Sequence, residues 1–273
     1  MTNWIPVTEG ETPHLGWAKE TQDYSFAAED TLAPLVTEEL TDALRDQLIA
    51  FAYDDQAQEY RLMALQSLQN GINVYVGPEG KWLGRHKPRI YANHPFALVA
   101  LNAKQAHVYI NQAAKEVHQP PQDEDSCLFD DQGQLTAEFQ EKFNQLQAYH
   151  RQTQVTQAQV NLLAQYQLIQ AWPLELNTGP DGTPEQVEGL YRIDQDALNK
   201  LDEAASADLV RSGALQIAYA QILSYSRLID LSRLYAYQRQ VREAEQMRQE
   251  AVKVMEQQEQ ELQSSEDDDL FKF

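Results

Sequence analysis

The sequence predicts an α+β fold: an antiparallel sheet with packed long helices and an extended C-terminal helix. Three observations carry that expectation. Five short apolar or alternating runs fall within residues 48–112, each bounded by turn residues. Connections this short leave no room for crossover helices, so the strands run antiparallel. Two later stretches, 137–170 and 207–263, place apolar residues at mostly helical spacing and contain one glycine and no proline between them.

Taken in order, residues 1–35 carry Pro6, Pro13 and Pro34 and read as an irregular arm pinned by Trp4 and Trp17. Thr37 followed by Glu38 and Glu39 marks a helix start, with a short helix to about Asp46. The runs LIAFAYDD, EYRLMALQSL, NVYVG, PFALVALN and AHVYINQ supply the strands. Asp54-Asp55, Asn70-Gly71, Gly77-Pro78 with Gly80, and Asn102 supply the turns. QPPQDEDS, residues 119–126, is polar and doubly prolyl, a surface loop. Thr136 opens a helical stretch, either one long helix or two joined near residues 151–156. Trp172–Asn177 and Val187–Ile193 flank a Gly-Pro-Asp-Gly turn as a hairpin, and Asp194 caps a short helix through Leu201. From Ala207 the pattern is helical to about Gln263. Its second half carries a weak heptad seam on Leu234, Tyr237, Val241, Ala244, Arg248, Ala251, Met255, Gln258 and Leu262, which fits a projecting helix or a self-associating coiled coil. The expected division is a domain over 1–237, a helical extension over 238–263, and an acidic tail with an apolar tip over 264–273.

Apolar residues make up 42% of the 273, enough for a genuine core. Forty-two acids against 21 bases give a net charge of −21. The summed field repels bare phosphate backbones and anionic membranes, so neither is an expected partner. Cys127 is the only cysteine, which excludes an intramolecular disulfide and a thiolate metal cluster. The N-terminus lacks a basic and apolar leader, and the apolar runs fall far short of the roughly 18–20 residues that span a bilayer. A cytoplasmic location is expected, with export by a route other than an N-terminal leader as the alternative.

Chemistry-bearing motifs are scarce. VGPEGKWLGR is neither GxGxxG nor a Walker loop, since Lys81 precedes Trp82 rather than Ser or Thr. The six histidines show no helical zinc spacing, and GxSxG, HExxH and calcium-loop patterns are absent. No catalytic residue, metal ligand or cofactor is therefore assigned.

Charge patterning is more informative. From Gly80 to Lys115 there is no acid, while Lys81, Arg85, Lys87, Arg89, Lys104 and Lys115 are present. One reading is intramolecular: the cations neutralise acidic loops such as residues 123–131, and Trp82, Tyr91 and Phe96 pack in the core. The other is a docking face for an anionic partner, with Arg85, Lys87 and Arg89 making charge-assisted hydrogen bonds and Trp82 and Tyr91 framing the patch. The second informative segment is SSEDDDLFKF, where four acids run into Leu270, Phe271 and Phe273. Such a peptide is either a solvated end or a ligand for a basic-rimmed pocket on a partner. It resembles the acidic tails of bacterial single-stranded-DNA-binding proteins.

Several segments in order resemble the bacterial SapC family: WIPV (Trp4–Val7), DYSFAAEDTLAPLV (Asp23–Val36), GINVYVGPEGKWLGRHKPRIYANHPFALV (Gly71–Val99), CLFDDQGQLT (Cys127–Thr136), PLEL (Pro173–Leu176), EGLYRID (Glu188–Asp194) and LVRSGALQIAYAQILS (Leu209–Ser224). The likeness spans roughly residues 3–237. It implies a surface-layer association, by the family's name, and transfers no catalytic residue. The leading expectation is a non-enzymatic interaction or accessory protein with a basic–aromatic face. One alternative is an enzyme, or a component acting beside one, with a pocket near His86, Tyr91 and His94. Another is a nucleic-acid-associated protein regulated by its acidic tail. Self-association through the C-terminal helix completes the partner expectations.

Overall fold

The structure is a computed structural model that describes residues 3–8, 12, 14–18, 22–102, 105–176 and 185–270. It divides into two compact units, Met1–Ser232 and Arg233–Phe273. Among the described residues no helix is long and apolar enough to cross a membrane.

Strands β1 (Trp4–Pro6) and β2 (Gly16–Trp17) precede a 3-10 turn at Ser25–Ala27, β3 (Leu32–Pro34), a second such turn at Thr37–Glu39 and α1 (Leu40–Ala43). The hairpin of β4 (Leu48–Asp54) and β5 (Glu59–Leu65) follows. Turns at Pro78–Gly80 and Arg89–Asn93 lead into the hairpin of β6 (Phe96–Asn102) and β7 (Gln105–Asn111), then β8 (Val117–His118) and β9 (Ser126–Cys127). The chain continues through α2 (Ala137–Gln165), β10 (Ile169–Ala171), β11 (Leu174–Leu176), β12 (Glu185–Val187) and β13 (Leu190–Ile193). It then forms α3 (Gln195–Asn199), α4 (Glu203–Ser212), α5 (Ala214–Ser224) and α6 (Leu228–Leu270).

The larger sheet is antiparallel with strand order β10-β13-β4-β5-β3. A second antiparallel sheet has the order β1-β7-β6, and β2 lies between β8 and β9 in a third. The 29 residues of α2 reach about 43 Å, far enough to serve two cores. Its C-terminal half buries Val160 and Leu163 with Ile49, Phe51 and Leu62 of the larger sheet, Leu209 of α4 and Ile217 of α5. Its N-terminal half buries Phe139 and Leu146 with Trp17, Phe96, Val108 and Ile110. Thr136 caps the helix by accepting from the Phe139 amide at 3.2 Å. Polar side chains on α2 fix its middle: Thr156 accepts from the Thr37 amide at 2.9 Å, and Gln159 donates to the Ser212 carbonyl at 2.8 Å.

The structure is α+β, with antiparallel sheets, packed long helices and the extended C-terminal α6. Details differ from the sequence expectation. The strand runs divide between two sheets, and NVYVG forms no strand beyond a single bridge, Val76 to Trp82. Its Asn73 is fully buried and ties the loop to the N-terminal arm, donating to the Ala27 carbonyl at 3.0 Å. That arm is itself strand-bearing. Trp17 is buried in the second core, whereas Trp4 sits on β1 with 41% of its surface exposed. The helix expected from Thr37 is a 3-10 turn followed by the single-turn α1. The expected hairpin forms as two ladders, β10–β13 and β11–β12, whose registers differ by one residue. The helical stretch from Ala207 is broken twice, at Gly213 and at a 3-10 turn over Tyr225–Arg227. Gly213 adopts φ +78°, and a Cβ there would stand 2.9 Å from the Gln159 amide nitrogen.

A candidate docking face and an adjoining aromatic cleft

The basic segment is held by its backbone. Glu39 is completely buried, and its carboxylate accepts from the Val36 amide at 2.9 Å and the Arg89 amide at 2.8 Å. The bond to Val36 is the backward half of a capping box, the carboxylate returning to the residue before its turn. The same carboxylate lies 2.9 Å from His86 Nε2. Asp46 accepts from the Arg85 and His86 amides. The His86 carbonyl in turn accepts from Trp82 Nε1 at 2.9 Å. Two acids that precede the segment by some 40–50 positions thus grip its amides rather than its cationic side chains.

Beneath the segment lies an aromatic bed. Trp82 stacks on Tyr75 with centroids 5.5 Å apart and also meets Tyr24 and Tyr91. Tyr91 is only 6% exposed, so it supports the patch from below and offers a partner almost no surface; Trp82 is half-buried. Burial, reinforced by the nearby Asp30 carboxyl, pushes the Tyr91 hydroxyl far above the usual phenol range.

The cations above the bed differ in their engagement. Among the described residues, the exposed side chains of Lys81, Arg85 and Arg89 have no hydrogen bond or ion pair. Lys87 donates to the Tyr24 hydroxyl at 2.8 Å and rests 4.8 Å from that ring's centre. Lys115 pairs with Asp23 at 3.1 Å. Asp23 is held down to about 2, chiefly by hydrogen bonds from Ser25, with Lys115 adding to the effect. Lys104 lies outside the described residues. Within residues 123–131, Asp125 takes His118 as its partner at 2.7 Å rather than any lysine or arginine of the basic segment. Of the intramolecular reading, the aromatic packing is observed; the neutralisation by residues 123–131 is not found among the described residues.

Beside this face opens a cleft of about 390 Å³, walled by β1, the turns at Ser25–Ala27 and Arg89–Asn93, β6 and α2. Trp4, Phe26, Tyr91, Phe96 and Tyr149 supply its rings, and Asp30 its carboxylate. Phe26 lies flat on His94, with centroids 3.7 Å apart and planes 1° apart. His94 Nε2 is 3.0 Å from Glu116. Loss of water around the Asp30 carboxyl raises its pKa, partly countered by the Tyr91 hydroxyl, although the residue as a whole reaches solvent. Lys142 donates to the Ala92 carbonyl at 2.7 Å and sits 5.7 Å over the Phe96 ring; burial pushes it below the usual lysine range.

Of the histidines singled out by sequence, His94 lines the cleft with Tyr91, while His86 is sequestered against Glu39. Leu270 closes α6, and Phe271 and Phe273 lie outside the described residues. Among the described residues no group of three or more His, Cys, Asp or Glu side chains is arranged to hold a metal ion. The anchors Glu39 and Asp46 escaped sequence reasoning, as did the cleft residues Trp4, Phe26, Asp30 and Tyr149. The ThrGluGlu helix signal pointed to Glu39 only as a helix-start charge.

No curated protein and no solved structure matches the chain. The SapC family model matches residues 12–231, which contain the larger sheet, the anchored basic segment and α2. By that match over most of its length, the chain belongs to the SapC family.

Proposed function

We propose that this protein is a non-enzymatic interaction or accessory protein that docks an anionic partner on the face carrying Arg85 and Arg89. One observation carries the reading: both residues commit their amides to buried or partly buried carboxylates while their guanidinium groups remain unpaired and exposed among the described residues. An unpaired guanidinium on a fixed backbone presents its donor fork with little ordering cost, which suits bidentate recognition of a carboxylate, phosphate or sugar acid. Lys81 and Lys87 widen the patch, and Trp82 with the buried Tyr91 stiffens it from below. The surface-layer association in the family's name makes an acidic component of the cell surface the first partner class to test.

The test is charge reversal at Arg85 and Arg89 together, read by recovery of the partner from extract of the native host and by thermal melting. The double variant should lose the partner and melt with the wild type. A collapsed melt would make the two residues structural, and an undiminished recovery would remove the docking face from consideration.

A further inference from the structure

The cleft and the face beside it differ in the sign of their charge. The cleft's lining includes Asp30 and contains no lysine or arginine. Among the described residues no cation offsets that carboxylate; its environment consists of desolvation, the Tyr91 hydroxyl and the like charge of Glu29. The two imidazoles of the lining are engaged: His94 with Glu116 and Phe26, and His150 with Gln154. Aromatic rings, whose faces carry negative potential, line the same cleft as Asp30. Two of these rings are exposed, Trp4 at 41% and Phe26 at 37%.

Ammonium groups already rest on aromatic rings at the borders of this region. Lys142 lies over Phe96, which lines the cleft, and Lys87 lies over Tyr24, whose ring is 6.0 Å from that of Phe26. Neither lysine reaches Asp30: one is bonded to the Ala92 carbonyl and the other to the Tyr24 hydroxyl. A volume of about 390 Å³ falls in the range of small-molecule sites. We propose that this cleft is a binding site for a small organic ammonium, its cation held between the Asp30 carboxylate and the rings of Trp4 and Phe26. Ring faces attract a partly desolvated cation, and the unpaired carboxylate supplies its counter-charge. An anionic ligand would meet repulsion from Asp30, and a neutral ring would leave the carboxylate without a counter-ion. This site is separate from the docking reading, which uses Arg85 and Arg89.

Calorimetric titration of the full chain with benzylammonium, benzyl alcohol and benzoate at one ionic strength tests it. Benzylammonium should bind at least about tenfold more tightly than the alcohol, and benzoate most weakly. Asp30→Asn should abolish the preference for the ammonium, and Trp4→Leu should weaken ammonium binding by about fivefold with the melt retained. Amide shift changes in the unmodified chain should centre on Trp4, Phe26 and Asp30. Equal affinity for alcohol and ammonium, preference for benzoate, no binding of any probe, shift changes confined to other regions, or an unchanged preference in Asp30→Asn would each overturn the proposal.

Discussion

Glu39 concentrates much of the local energetics in one side chain. It is wholly buried and serves two amides and an imidazole. Replacing it with Ala leaves the Val36 and Arg89 amides unsatisfied and the His86 ring without its partner, a change of about 3–5 kcal/mol by analogy with broken buried pairs. Urea denaturation should show that loss, and amide exchange at Val36 and Arg89 should quicken even where the chain stays folded. Gly80 is a second sensitive position. It adopts φ +73°, and a Cβ would collide with the Asp23 carboxylate. Gly80→Ala should cost about 1–3 kcal/mol in the same assay. Asp30 should behave in the opposite sense. Its folded pKa is raised, so the folded state holds the proton more tightly and loses stability as pH rises through the interval above the ordinary value of 3.8. Asp30→Asn should therefore melt higher than wild type at pH 7, and the advantage should vanish near pH 3. Asp23 carries the reverse linkage: its folded pKa is about 2, so its contribution is present above 3.8 and disappears as pH falls toward 2. At this scale the free cations were legible, because an acid-free run from Gly80 to Lys115 is a property of sequence. Glu39 and Asp30 were not, because their partners are set by folding: Arg89 lies 50 positions from Glu39.

Among elements, α2 and the break at Gly213 illustrate what periodicity conveys and what it omits. The absence of Gly and Pro from residues 137–165, with Thr136 before them, suffices for a capped helix. The break between α4 and α5 depends on one left-handed residue seated against Gln159 of α2. Apolar spacing continues across it, so a single helix was the natural sequence reading. Gly213→Ala should destabilise the fold by about 1–3 kcal/mol, seen as a lowered melting temperature, because it forces a side chain into φ +78° against that contact. Strand assignment shows a similar limit. Alternation located the runs that form these four strands, but nothing local states that β4–β5 and β6–β7 join different sheets. That division is made by the segment between them, which is diverted into the aromatic bed by Asn73, Tyr75 and Trp82.

For the molecule as a whole, a charge of −21 sets the long-range field against anionic partners everywhere except near exposed cations. Association at the Arg85–Arg89 face should consequently be tuned by ionic strength in two ways. Modest salt screens the repulsive field at a distance, and higher salt weakens the contact itself, so binding should pass through a maximum as salt rises. A monotonic fall, as for a uniformly basic surface, would argue that the distant field plays no part. Family membership was readable from the order of motifs across the chain, and the match over residues 12–231 covers most of that span.

Because Glu39 and Asp46 hold peptide N–H groups, which every amino acid but proline supplies, the fold places little demand on which side chains occupy positions 85 and 89. On the docking reading proposed above, point substitution there would change the target while the scaffold stays put. A grafted acidic, aromatic or amide pair there should inherit the same rigid presentation, making the segment a natural place to engineer a new specificity.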